Sequence, residues 1–303
     1  MIYTCTLNPA IDLFVDVDEL KPFTVNRTKD EDYQANGKGI NVSIVLKRFG
    51  LDSTAIGIIA GFTGKFIQDE IEKKGIKTKL FEVNGITRIN IFVNADKEFK
   101  IINRGPNVPL NTIEKIIEEI KKIPIGSYLF VSGSLPPGVK DETFLRISKI
   151  CKEKGIKLIL DISSPILIDC LTYHPYLIKP NEEELANLFD IKQLTEEAII
   201  YYGKELLNRG AQKVIVSRGE KGSIYFSKNK ILKASSIKGK VVNSACAGDT
   251  LLATFVGMQL KGFKEETALA YASAAGALTA FSKGIGNFED IHEFAKMIKI
   301  EKM

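Results

Sequence analysis

Residues 141–161 read DETFLRISKICKEKGIKLILD, and this stretch decides the fold class. A charged segment of helical period runs from Asp141 to Lys154, and Gly155 stands where a left-handed residue closes such a helix. Lys157–Asp161 follows as a short apolar run of strand type. The same unit recurs on both sides of it. Strand-like runs at Thr54–Ala60, Ser127–Ser132, Tyr176–Lys179 and Lys213–Ser217 alternate with helical segments at Thr63–Lys74, Thr112–Lys122, Glu182–Phe189 and Thr195–Arg209. Strands that are apolar on both faces and separated by helices belong to a mostly parallel buried sheet. The sequence therefore predicts a doubly wound α/β body with helices on both faces of the sheet. Two regions, about 11–34 and about 87–104, break this rhythm. In the second, Arg88–Val93 and Phe99–Asn103 alternate like hairpin strands around a polar Ala95–Glu98 tip, which predicts a small sheet projecting over the main one. With no solenoid repeat, low-complexity tract or long linker, residues 1–303 are expected to form a single domain that carries this sheet.

Composition narrows the function. Lys and Arg number 42 against 37 Asp and Glu, with both signs interspersed, which suits small anions. No basic stripe is interleaved with aromatics, so nucleic acid is not an expected partner. Two histidines, His174 and His292, exclude a His-rich metal centre. Cys5, Cys151, Cys170 and Cys246 lie far apart without a C-x-x-C pair, so neither a disulfide framework nor a zinc ribbon is indicated and a cytoplasmic location is expected. Acids at Asp12, Asp16, Asp18 and Glu19 argue against a signal peptide, and the uncharged stretch Thr267–Ser282 is too short to span a bilayer comfortably.

Four stretches carry chemistry. Residues 35–43, ANGKGINVS, form a small-residue turn opening a helix Asn41–Phe49; glycines there admit a ligand to the backbone, and N–H groups at a helix start attract anions. The spacing is neither G-x-G-x-x-G nor a Walker A loop. Residues 244–250, SACAGDT, precede an apolar helix from Thr250 to about Lys261. Such a helix start presents N–H groups to a phosphate whose charge grows in transfer, with Asp249 in reach as a base, although Asp249 is equally suited to cap the helix. Residues 179–185, KPNEEEL, offer oxygens of Asn181 and Glu184 one helical turn apart, which suits Mg²⁺ held largely through water; a Pro followed by acids is also a sound helix opening. Residues 216–222, VSRGEKG, follow a strand and are either a turn on which a nucleotide lies or one that needs left-handed glycines.

The order of these stretches is more specific than any one of them. Thr6-Leu7-Asn8-Pro9-Ala10-Ile11-Asp12, Gly37-Lys38-Gly39-Ile40-Asn41, Thr87-Arg88-Ile89-Asn90, Ser132-Gly133-Ser134-Leu135-Pro136-Pro137-Gly138, Lys179-Pro180-Asn181 with Glu184, Ser217 with Gly219 and Gly222, and Ala247-Gly248-Asp249 follow one another along nearly the whole chain. In this the sequence resembles the ribokinase-like (PfkB-type) carbohydrate kinases, and among them the branch containing 1-phosphofructokinase and tagatose-6-phosphate kinase. The resemblance implies a ribokinase-like fold in which the two rhythm-breaking regions form a β-sheet lid over the sugar.

It also implies roles. Asp249 resembles the catalytic base, and Cys246, Ala247 and Gly248 resemble the anion hole for the γ-phosphate. Asp12, Gly37, Lys38 and Asn41 resemble sugar contacts, whereas Arg27, Arg88 and Ser134 resemble the pocket for the phosphate that the sugar already carries. Asn103 belongs with the lid-side substrate contacts. Asn181 and Glu184 resemble a motif associated with Mg²⁺, and Lys179, Ser217, Gly219 and Gly222 the binding region for ATP. Two departures stand out: Asn36 where the family usually has Gly, and Cys246 where it usually has Gly. Asn tolerates left-handed backbone, but a positive φ at Cys246 would strain the anion hole. At a helix start beside an anion site, the Cys246 thiol is expected to have a lowered pKa and to react with alkylating reagents unless Mg-ATP covers it.

The function implied is ATP-dependent phosphorylation of a ketohexose phosphate, D-fructose 1-phosphate first. Tagatose-6-phosphate and fructose-6-phosphate 1-kinase activities are the alternatives, and a non-catalytic sensor of nucleotide or sugar phosphate is a distant one. Neither nucleic acid nor membrane is an expected partner, and a homodimer through the lid sheet is compatible with the pattern.

Overall fold

The computed structural model describes residues Met1 to Met303 and contains two sheets. The larger runs, in spatial order, β14 (Ile300–Lys302), β13 (Lys230–Ala234), β12 (Ser223–Ser227), β11 (Lys213–Ser217), β10 (Leu177–Ile178), β9 (Lys157–Asp161), β8 (Tyr128–Ser132), β1 (Ile2–Thr6), β4 (Thr54–Ala60) and β5 (Lys77–Val83). Pairings from β5 to β11 are parallel, and those from β11 to β14 are antiparallel. Its helices are α1 (Lys38–Arg48), α2 (Gly61–Lys73), α3 (Leu110–Lys121), α4 (Glu142–Lys154), α5 (Leu167–Cys170), α6 (Glu182–Leu188), α7 (Glu196–Asn208), α8 (Ala247–Leu260), α9 (Glu265–Ala280) and α10 (Ile291–Met297). This is the ribokinase-like α/β arrangement.

Alternation along the strands explains why helices are needed on both sides. Leu158 and Leu160 of β9, Leu129 and Val131 of β8, and Val214 and Val216 of β11 pack into one core with α3, α4, α6 and α7. Ile159, Phe130 and Ile215, the intervening residues, point into a second core with α1, α8, α9 and α10. Gly155 closes α4 at φ 65°, as its place in the opening stretch requires.

The smaller sheet has the order β3 (Asp30–Asn36), β2 (Ala10–Asp16), β6 (Arg88–Asn94), β7 (Glu98–Ile101), built from segments within or next to the two that break the sequence rhythm. Its register sets up the site: Ala10 lies opposite both Asn36 and Arg88, and Asp12 lies opposite Asn90.

Several boundaries differ from the sequence reading. The strand expected at Tyr176–Lys179 is only Leu177–Ile178. Helix α1 begins at Lys38, and α8 begins at Ala247, which places Asp249 inside the first turn rather than at the cap. The strands β1, β5 and β12–β14 and the helices α5, α9 and α10 lie outside the segments that the sequence pattern predicts. β5 is a sheet edge whose Lys-rich alternation carries little apolar signal, and α9, with Ala268, Ala272, Ala275 and Gly276 buried, is apolar all round and has no amphipathic stripe to read. No helix is long and apolar enough to cross a membrane.

Candidate active site

The parallel strands end on one side of the sheet, and residues just past those ends converge there, as expected for a crevice outside the carboxyl ends of a doubly wound sheet. Asn8 follows β1, Ser134 follows β8, Asp161 ends β9, Lys179 and Asn181 follow β10, and Ser217 ends β11. The first turns of α1 and α8 supply Lys38 and Asp249.

Two lysines and two aspartates form the charged centre. Asp161 Oδ1 lies 3.3 Å from both Lys38 Nζ and Lys179 Nζ, with the Asp161 carboxyl almost completely buried. Burial works to raise the Asp161 pKa, but Lys179 and Lys38 outweigh it and hold the group below the ordinary carboxylate value. For Lys38, burial works downward and is outweighed by Asp161, Asp249 and Glu184, so the ammonium stays firmly charged. Asp249 is the opposite case. Burial and the neighbouring Asp161 charge push it up to about 7 against Lys38, Asn41 and Lys179. A carboxylate poised near neutrality suits proton transfer.

At the start of α8 the Ala247 N–H is taken by Ser244 O, at 3.2 Å, while the N–H groups of Gly248 and Asp249 have no hydrogen-bond partner. A Cβ on Gly248 would lie 3.1 Å from Lys179 Nζ, so this ammonium sits directly against the loop. Free N–H groups, a helix N-terminus and a lysine together make an anion cradle. Of the expected hole, Gly248 keeps its donor and Ala247 does not. Cys246 has φ −99°, so the feared strain is absent. The expectation of a reactive thiol is overturned: the residue is 3% exposed, and burial followed by Asp249 and Asp12 pushes the thiol pKa far up, only partly offset by Asn36. Burial and two carboxylates outweigh the helix start.

A chain of side-chain hydrogen bonds joins lid to base. Asn90 Nδ2 donates to Asp12 Oδ1 at 2.8 Å, and Asn36 Nδ2 donates to Asp12 Oδ2 at 2.6 Å. Asn41 Nδ2 donates to Asn36 Oδ1 and to Asp249 Oδ2, both at 2.8 Å. Burial raises the Asp12 pKa to about 6, against Asn90 and Arg88. Gly37 must be glycine, since φ is 145° and a Cβ would meet Thr6 Cγ2 at 2.9 Å and Pro9 Cα at 3.2 Å.

Farther out, Arg88 donates to Asn8 O at 2.9 Å and to Asn103 O at 3.1 Å, leaving its buried Nε without a partner. Asn8 Nδ2 reaches Arg104 O at 3.0 Å and Ser134 Oγ at 3.4 Å, so Arg88, Asn103 and Ser134 belong to one cluster. A cavity of about 600 Å³ beside it is lined by Arg88, Asn103 and Arg104. Arg27 is not in this cluster. It lies exposed in the 17–29 connection, beyond the rung where Asp16 faces Asp30, whereas Arg88 faces Ala10 at the other end of β2.

Asn181 and Glu184 form a capping box on α6. Asn181 Oδ1 accepts from Glu184 N at 2.7 Å, and Glu184 Oε2 accepts from Asn181 N at 2.9 Å. The helix-opening role is therefore real. Glu184 Oε1 turns to Ser163 Oγ and lies 3.9 Å from Lys38 Nζ, and Asp161 Oδ2 is buried with no partner. No three acidic, His or Cys side chains gather closely enough to hold an ion on their own. These oxygens fit Mg²⁺ that arrives on phosphates and keeps its water. Ser217 N donates to Pro180 O at 3.0 Å, bringing the 217–222 turn beside Asn181. Gly219 and Gly222 have φ 56° and 87°, and a Cβ on Gly222 would lie 2.0 Å from Ala234 O, so the left-handed turn is also real.

Asp161, Asn36, Asn90, Asn8 and Arg104 were not among the predicted site residues. Asp161 was legible, as an acid ending an apolar parallel strand where such sheets bind ligands. Asn8 and Asn90 stand in the ordered motifs and Asn36 in a departure from them, but their roles are recognisable only by their partners.

The family model for pfkB family carbohydrate kinases matches residues 5–291. The chain belongs to the PfkB carbohydrate kinase family. It is 57% identical over 301 residues to D-tagatose-1-phosphate kinase of Bacillus licheniformis, covering 99% of each chain. To 1-phosphofructokinase of Bacillus subtilis it is 33% identical over 303 residues, with 100% of each covered. In fold it is similar to the crystal structure of phosphofructokinase-2 from Escherichia coli in complex with substrates and products, with a TM-score of 0.92 over 98% of each chain at 24% identity. As a PfkB kinase, the chain is a phosphotransferase of carbohydrate metabolism.

Proposed function

We propose that this kinase transfers the γ-phosphoryl group of ATP to the 6-hydroxyl of a ketohexose 1-phosphate, with D-tagatose 1-phosphate as the preferred substrate and D-fructose 1-phosphate second. The observation that carries phosphoryl transfer is Asp249. It is buried, has its pKa pushed up to about 7 by burial and Asp161, and stands one residue past Gly248 at a helix start faced by Lys179. The sugar rests on the relatives. Sequence alone put D-fructose 1-phosphate first, and the 57% identity to a D-tagatose-1-phosphate kinase moves the tagatose epimer ahead.

In this reading Asp249 accepts the proton of the sugar's primary hydroxyl as it attacks in line. The N–H groups of Gly248 and Asp249, with Lys179 and Lys38, oppose charge on the equatorial phosphoryl oxygens. Mg²⁺, when bound, neutralises charge on the nucleotide's phosphates; Asn181, Glu184 and Asp161 are the residues that would hold it, largely through water. The turn Ser217–Gly222 receives the nucleotide. Arg88 and Arg104 hold the phosphate the sugar brings, because a guanidinium keeps its charge and binds phosphate in a fork. The chain works as one unit with its lid, and lids of two copies associate. Its four free cysteines suit the cytoplasm.

The test is ADP release with ATP and four sugars: the 1-phosphates and 6-phosphates of D-tagatose and D-fructose. Expected is a kcat/KM for the 1-phosphates at least about tenfold above the 6-phosphates, tagatose leading. Preference for a 6-phosphate overturns the reading.

A further inference from the structure

Asn36 is the last residue of β3 and the one side chain of the Asn36–Gly39 turn placed between lid and base. The two glycines that follow it, Gly37 and Gly39, explain its importance, since the Lys38 between them turns to Asp161. Gly37 is pinned by Thr6 and Pro9, and a Cβ on Gly39 would lie 2.5 Å from Thr6 Oγ1, so neither position can carry a group into the space bounded by Asp12, Asn41 and Cys246. Asn36 alone does. Its Nδ2 reaches Asp12 Oδ2 at 2.6 Å and Cys246 Sγ at 3.5 Å, and its Oδ1 accepts from Asn41 Nδ2 at 2.8 Å.

The orientation of each amide follows from the network. With both carboxylates in the charged form, which only accepts, Asn41 turns its NH₂ to Asp249 and to Asn36 Oδ1, and Asn36 turns its own NH₂ to Asp12. Asp12 thus holds one amide on each oxygen, Asn90 on Oδ1 at 2.8 Å and Asn36 on Oδ2. Its plane is fixed, and each oxygen keeps one lone pair to offer. A hydroxyl can meet Asp12 only along those remaining directions. A hydroxyl that bonds Asp12 Oδ2 along its remaining direction comes to lie beside the Asn36 amide, which is already committed to Asp12 and Cys246.

We propose that Asn36, wedged between Asp12, Asn41 and Cys246, is the residue by which this enzyme distinguishes ketohexose phosphates that differ in the configuration of one ring hydroxyl. D-Tagatose and D-fructose differ in this way, at C4. The inference rests on the proposed kinase reading but not on which carbon bears the substrate's phosphate.

The experiment measures kcat/KM for the tagatose and fructose epimers, as 1-phosphates and as 6-phosphates, in wild type, Asn36→Gly and Asn36→Ala. Melting temperature reports whether each variant is folded. Expected is a change in the epimer ratio of at least about fivefold in both variants, the size of one hydrogen bond gained or lost at a substrate hydroxyl, with KM for ATP within about twofold of wild type. A ratio that moves less than this, or loss of turnover with both epimers alike, overturns the inference, because either result makes Asn36 a structural prop of the turn. If only the 6-phosphates react, the 1-phosphate reading falls, and the epimer ratio is decided in the 6-phosphate series. Absence of turnover with all four sugars overturns both.

Discussion

With Asp249 as the proposed base, Asp249 and Asn41 are expected to set the pH behaviour of this kinase. A base must be unprotonated to accept the sugar's proton, and the Asp249 pKa is raised to about 7, so activity is expected to be full above that value and to be lost as pH falls through it. Asn41 donates to Asp249 Oδ2 at 2.8 Å, a bond that favours the charged form. Asn41→Ala is expected to move the acid limb of the kcat/KM profile upward by about one pH unit, the value of a hydrogen bond to a charged group. An unmoved limb would show that another group controls it. Cys246 teaches the complementary lesson about single residues. Its position at a helix start and the nearby Asp249 were visible in the sequence, but the burial that chiefly raises its pKa, and the Asp12 carboxylate that adds to it, come from distant segments that no local pattern announces.

Turns rather than strands separate the proposed substrate subsites. Arg88 begins β6, while Asn103 and Arg104 follow β7, and the carbonyls of Asn8 and Asn103 hold the Arg88 guanidinium at the junction. Arg88→Ala and Arg104→Ala are each expected to raise KM for the sugar phosphate at least about tenfold and to leave KM for ATP unchanged. Equal rises in both constants would assign these arginines to the folding of the junction. At this scale the sequence was most readable where a pattern is local: the helix–glycine–strand unit around Gly155, the lid hairpin, and the Asn181–Glu184 spacing. Even there one pattern served two purposes, since Asn181 and Glu184 cap α6 through the very atoms a metal motif would use. Elements stabilised from outside were less readable. The edge strand β5 and the all-round apolar helix α9 owe their form to what packs on them, and Arg27 and Arg88 stand apart because the Asp16–Asp30 rung caps the far end of β2.

In the whole molecule, the lid carries what the interior lacks, a set of uncovered apolar side chains. Phe23, Val25, Tyr33, Phe99 and Ile101 are exposed on it, and Phe23 sits at φ 59°, unusual for a bulky residue. Association of two lids would cover them. Light scattering is expected to give a dimer for the wild type and a monomer for Phe23→Asp; a monomeric wild type would refute lid association. The proposed catalysis depends on bringing α8, α1 and the ends of β9 and β10 to one point, where Asp161 pairs with two lysines near Asp249. The measurement that reaches this most directly is kcat of Asp249→Asn at saturating ATP and sugar phosphate. A base at Asp249 predicts a fall of at least about 10²-fold with nucleotide affinity within about threefold of wild type, whereas retention of more than about a tenth of wild-type kcat would contradict it.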